Sequence, residues 1–97
     1  MISARLSLLA ILLAAAPLTA AELPPPGATA CAGCHPLGKV ETPVPGLAGR
    51  QEEQLLASLR AYRSGEKPAS IMDRIAKGVS DAQAAAIARW YNRQPPP

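Results

Sequence analysis

The sequence predicts a small all-α domain of about three to four helices. Apolar residues recur at helical spacing in two stretches, residues 50–64 and 81–91, each with its own start and stop signals. The connections around them are so dense in proline and glycine that regular structure is excluded there. No βαβ pattern accompanies either stretch.

Residues 1–21 read as a leader rather than as part of the fold. Arg5 supplies a positive start, Leu6 to Ala16 an apolar run of eleven residues, and Pro17 a helix break followed by small residues to Ala20 and Ala21. That is the layout of a secretory signal peptide, cleaved after Ala21. The run falls short of the ~20 residues that a membrane span requires. No cysteine follows it to carry a lipid, so no stable membrane anchor is expected. One domain remains, residues 22–97.

Without Arg5 that domain carries nine Lys and Arg against seven Asp and Glu. The excess is mild and no basic helix face or stacking motif accompanies it, so a nucleic-acid partner is not indicated. A domain this short buries little core and usually needs a covalent or metal staple. Its aromatic residues are only Tyr62, Trp90 and Tyr91, with no Phe.

Taken in order, Pro24, Pro25 and Pro26 favour an extended start, and Pro26 or Gly27 can open a helix of about two turns. That helix leads into Cys31-Ala32-Gly33-Cys34-His35, the centre of the chain. Two cysteines with two residues between them, and a histidine directly after, is the spacing of covalent haem attachment. One tight turn presents both thiols to the two vinyl groups of a single porphyrin. The next residue then places an imidazole on the iron from the same side. Three other chemistries use cysteines in this way. A redox dithiol wants a surrounding βαβ pattern. A structural zinc wants four ligands, and the chain owns two Cys and one His. A Cys31–Cys34 disulfide would close a very small loop, where the entropic gain is least. The cofactor expected is one covalent haem c, held by thioethers at Cys31 and Cys34 with His35 as an axial iron ligand.

Residues 36–49 form a loop rich in Pro and Gly, placed to wrap the histidine side. A metal-bound histidine donates its other ring N–H to a carbonyl or carboxylate, and a proline carbonyl of this loop is a candidate acceptor. Arg50 to Ser64 is the first long helix, with Glu52 and Glu53 in its first turn, Arg60 and Arg63 in its last, and Gly65 placed as its cap. Leu55, Leu56, Leu59 and Tyr62 fall on one broad face and are expected in the core. Tyr62 is also within the repertoire of a propionate partner.

After a loop over residues 65–71 comes Met72, the single methionine once Met1 leaves with the leader. His35 is the single histidine, so a second strong iron ligand from the protein would be the Met72 thioether. Met/His ligation raises the reduction potential and suits electron transfer. The alternative use of Met72 is to fill a core gap. Asp73 to Lys77 is a short helical turn ended by Gly78. Ser80 and Gln83 make a capping box, and the last helix runs through Ala84, Ile87, Ala88 and Tyr91 until Pro95 to Pro97 stop it.

With these residues in view the chain resembles a class I c-type cytochrome, over residues 28 to 94. The segment Val44-Pro45-Gly46-Leu47-Ala48-Gly49-Arg50 is similar to the P-x-L-A-G-Q segment of cytochromes c4 and c553. In those families the proline carbonyl bonds the haem histidine, which implies that role for Pro45. Residues Ala69 to Asp81 resemble more closely the haem subunit of flavocytochrome c sulfide dehydrogenases. The resemblance implies a small class I cytochrome c fold around one haem, with Met72 and His35 on the iron. It implies a periplasmic electron-transfer protein, not an enzyme on its own, taking electrons from a flavoprotein (FAD) sulfide dehydrogenase partner. A free-standing c4- or c553-type shuttle is the alternative, and a haem sensor with Met72 off the iron a third. Two departures stand out. Pro36 occupies a position that is glycine in most relatives, and Pro24 to Pro26 shorten the first helix, which bears on its usual crossing with the last. Lys39 and Lys77 are candidates for a docking rim.

Overall fold

The computed structural model describes residues 22–97, so the expected leader lies outside the described residues. Among the described residues there are four helices and no strand: α1 (Ala28–Ala32), α2 (Glu52–Ser64), α3 (Met72–Lys77) and α4 (Asp81–Arg93). The all-α expectation holds.

The two long helices form the frame. α4 starts at Ser80, whose hydroxyl accepts from the Gln83 N–H while the Gln83 side chain accepts from the Ser80 N–H. This reciprocal cap satisfies two of the donors that a helix start leaves orphaned. Ala84, Ile87, Ala88, Trp90 and Tyr91 are buried along it. α2 packs against α4 and begins two residues later than the pattern from Arg50 suggests, with Gln51 as its cap. It ends where expected, because Gly65 takes a left-handed conformation at φ 83° that other residues avoid.

The short helices attach differently. α1 packs only on α4 and α3 only on α2, and α1 and α3 do not touch. α1 opens at Gly27, whose left-handed φ of 92° brings the backbone close to Ile87. Ala28 is fully buried and its carbonyl accepts a 2.6 Å bond from the Tyr91 hydroxyl. The crossing of first and last helix therefore forms despite the shortened α1, because one alanine and one tyrosine suffice for a close approach.

Residues 36–49 are irregular, as their proline and glycine content requires. The loop is nonetheless anchored to the end of α4. The Gly49 N–H donates to the Tyr91 carbonyl (2.9 Å) and the Asn92 amide donates to the Arg50 carbonyl (2.7 Å). Gly49 has φ 73°, and a side chain there would also strike Pro96 at 3.0 Å. At the start of the described residues, Glu22 is tied to α4 by the Trp90 indole N–H and by a two-pronged ion pair from Arg93.

The core joins Ala28, Leu55, Ile87, Ala88, Trp90 and Tyr91, with Trp90 and Tyr91 edge to face at 4.9 Å. The leucine face of α2 divides between two surroundings. Leu55 is buried and Leu56 packs on the core, whereas Leu59 and Tyr62 are half-buried and turn toward an open cleft.

Candidate functional site

The cleft has a volume of about 620 Å³. Both α1 and α3 line it although they do not touch, so it lies between the Cys31 turn and the Met72 helix. Leu47, Leu59, Ile75 and Val79 give it an apolar wall.

The cysteine–histidine turn is a continuation of α1. Past Ala32 the N–H groups of Cys34 and His35 both return to the Cys31 carbonyl, at 3.1 and 2.8 Å. Gly33 donates back to the Ala30 carbonyl at 3.2 Å, and a Cβ at this position would crowd that same oxygen. Cys31 is half-buried with its thiol 3.4 Å from the Gly27 carbonyl, while Cys34 is exposed. Burial pushes the Cys31 thiol up from its ordinary pKa. Both cysteines and His35 line the cleft.

His35 is oriented by the loop. Its Nδ1 lies 2.6 Å from the Pro45 carbonyl oxygen. A carbonyl can only accept, so Nδ1 carries the proton and the lone pair of the neutral ring belongs to Nε2. The loop that fixes Pro45 is held in turn by Gly49 and Arg50 on α4, so the histidine orientation is built into the frame.

Met72 is the first residue of α3, half-buried, and also lines the cleft. Tyr62 lines it too, with the Lys67 ammonium 4.9 Å from the centre of its ring. The six residues singled out from the sequence, Cys31, Cys34, His35, Pro45, Tyr62 and Met72, thus meet in one cavity. Lys39 and Lys77 lie outside it and are exposed.

Two features escaped the sequence reading. The charged residues that line the cleft are Arg50 and Lys67, and no Asp or Glu lines it among the described residues. Loop cations carry no periodic signal, so nothing in the sequence marked them. The second is Arg63, read as a cation placed for the helix dipole. It reaches instead across to the Ala76 carbonyl of α3, to the Val79 carbonyl beyond it and to Asp81.

The fit to a haem follows from these surroundings. An apolar cleft, two thiols on one turn, an imidazole with a free Nε2, a thioether on the facing helix and two cations suit a flat apolar macrocycle that carries two carboxylates. Among the described residues no three His, Cys, Asp or Glu side chains gather as a metal-binding group. Zinc therefore lacks a ligand set.

No family model matches the chain. Curated relatives do. A thiosulfate dehydrogenase electron acceptor of Thiomonas intermedia is 36% identical over 75 residues, which cover 74% of this chain and 35% of that protein. Cytochrome c-554(548) of Halomonas halodenitrificans is 36% identical over 69 residues, covering 66% of this chain and 83% of the relative. The cytochrome subunit of sulfide dehydrogenase from Chlorobaculum tepidum is 29% identical over 62 residues, covering 63% and 56%. The chain spans only about a third of the length of the first relative and just over half of the third. The match to the Halomonas cytochrome runs over most of that protein at an identity that marks common descent. With its four-helix fold and its Cys31-Ala32-Gly33-Cys34-His35 turn on one cleft, the chain belongs to the c-type cytochromes, whose cofactor is a covalent haem c.

Proposed function

We propose that the protein is a one-electron carrier, exported after removal of residues 1–21, that accepts electrons from a dehydrogenase of reduced sulfur compounds. The observation that carries the electron-transfer reading is the pairing of His35 and Met72 on one cleft between two helices that do not otherwise meet. Cys31 and Cys34 hold the haem as thioethers. His35 offers Nε2 to the iron, with Pro45 fixing the ring, and Met72 offers its thioether from α3. Held by His35 and Met72, the haem would supply one-electron chemistry at a raised potential. The protein sets orientation, potential and exposure of the group. Leu59, Ile75 and Val79 exclude water from the macrocycle, and Tyr62, Lys67 and Arg50 offer a hydroxyl and two cations to its carboxylates. Among the described residues no helix is long and apolar enough to cross a membrane.

The donor class rests on the relatives. Two of the three have names that tie them to dehydrogenases of thiosulfate and sulfide. The narrower form of the proposal is a haem subunit paired with an FAD-bearing sulfide dehydrogenase. A free-standing shuttle is the second reading, favoured by the cytochrome that the chain covers over 83% of its length. Gentle purification from the native host, followed by an optical spectrum, separates them. Haem and flavin in fixed ratio establish the subunit, and haem without flavin establishes the shuttle. Absence of covalent haem overturns the proposal in both forms.

A further inference from the structure

We infer that Arg63 is a positioning residue, which holds α3 so that the Met72 thioether faces the cleft. This rests on the reading of Met72 as an iron ligand. α3 is six residues long, too short to be stable by itself, and a single residue of it, Ala76, is buried. α3 touches neither α1 nor α4, so among the helices it packs on α2 alone.

Arg63, from the last turn of α2, supplies the missing attachment. Its Nε donates to the Ala76 carbonyl at 3.4 Å. Its two terminal nitrogens reach the Val79 carbonyl and, at 2.5 Å, the Asp81 carboxylate at the start of α4. The Ala76 carbonyl belongs to the end of α3, where it also accepts from the Val79 N–H at 3.2 Å, and the Val79 carbonyl to the connection after it. A guanidinium can serve three acceptors at once because its N–H groups diverge in one rigid plane. Arg63 therefore ties α2, the end of α3 and the beginning of α4 at one point. Met72 lies one helical turn from Ala76. Freeing that end lets the helix that carries the thioether shift, and a weak sulfur ligand gives way before the thioether-linked haem does.

The test uses the holo-protein with carbon monoxide as the probe, read as its rate of binding to the ferrous form. Arg63→Met keeps the length of the side chain and removes its N–H groups. It is expected to bind carbon monoxide about tenfold faster than the parent, a factor equivalent to about 1.4 kcal/mol. Arg63→Lys retains the charge without the planar fork and should fall between the two. Arg93→Met breaks a comparable ion pair, to Glu22, that does not touch α3. It should bind at the parental rate. Parental binding in Arg63→Met, or equal acceleration in Arg93→Met, overturns the inference. Met72→Ala separates it from the reading beneath it: if that variant also binds at the parental rate, Met72 is not the ligand.

Discussion

At the scale of single residues, His35 and Met72 owe their functions to different kinds of support. His35 is fixed by a main-chain oxygen, since the acceptor at 2.6 Å is the Pro45 carbonyl. Any residue at position 45 would offer that carbonyl, and proline adds only a stiffer loop. Met72 has no such partner and depends on where its helix sits. Met72→Ala should therefore leave the haem attached while lowering the reduction potential and admitting carbon monoxide to the iron. An unchanged ferric spectrum and potential would remove Met72 from the ligand role. The sequence showed this much because His35 and, after leader removal, Met72 are each the single residue of their kind. It could not show Arg63, whose place in the last turn of α2 resembles an ordinary dipole partner until three acceptors from distant positions converge on it.

At the scale of elements, boundaries were legible wherever local chemistry sets them. Gly65 ends α2 and the Ser80–Gln83 box begins α4 as the pattern indicated. The contact between α1 and α4 was not legible, because it depends on a fully buried Ala28 and one side-chain bond from Tyr91. Burial pushes the Tyr91 phenol up to about 12. A tyrosine in an unfolded chain titrates near 10. The folded form thus holds its proton more tightly, so the stabilisation is complete below pH 10 and drains away between about 10 and 12 as the unfolded form ionises first. Tyr91→Phe should cost about 0.5–1.5 kcal/mol at neutral pH by removing this buried hydrogen bond to the Ala28 carbonyl. It should also flatten the loss of stability over that alkaline interval. Denaturant titrations of both proteins at pH 8 and pH 11 measure this. A Phe variant that loses as much stability as the parent between those values would assign the alkaline loss to other groups.

At the scale of the molecule, the closed core is too small for its chain. Among the described residues the buried apolar set is five alanines with Leu55, Ile87, Trp90 and Tyr91. Much of the remaining apolar surface, including Leu59 and Val79, lines the cleft instead. That division explains why the leucine face of α2 looked like ordinary core from its spacing: periodicity reports which side is apolar, not whether protein or cofactor covers it. Domains of this size commonly require a staple. Here the covalent group would close the space between α1 and α3, which do not pack on each other. Cys31→Ser/Cys34→Ser, which abolishes both thioether bonds, should therefore do more than release the cofactor. Its helical circular dichroism should fall at 25 °C, and thermal unfolding should lose its sharp transition. The frame of α2 and α4 keeps its capping box and ion pairs in that variant, so any residual helix should map there. A cooperative transition close to that of the holo-protein would show that the small core suffices alone, and that the cleft is a preformed pocket rather than the unfinished half of the core.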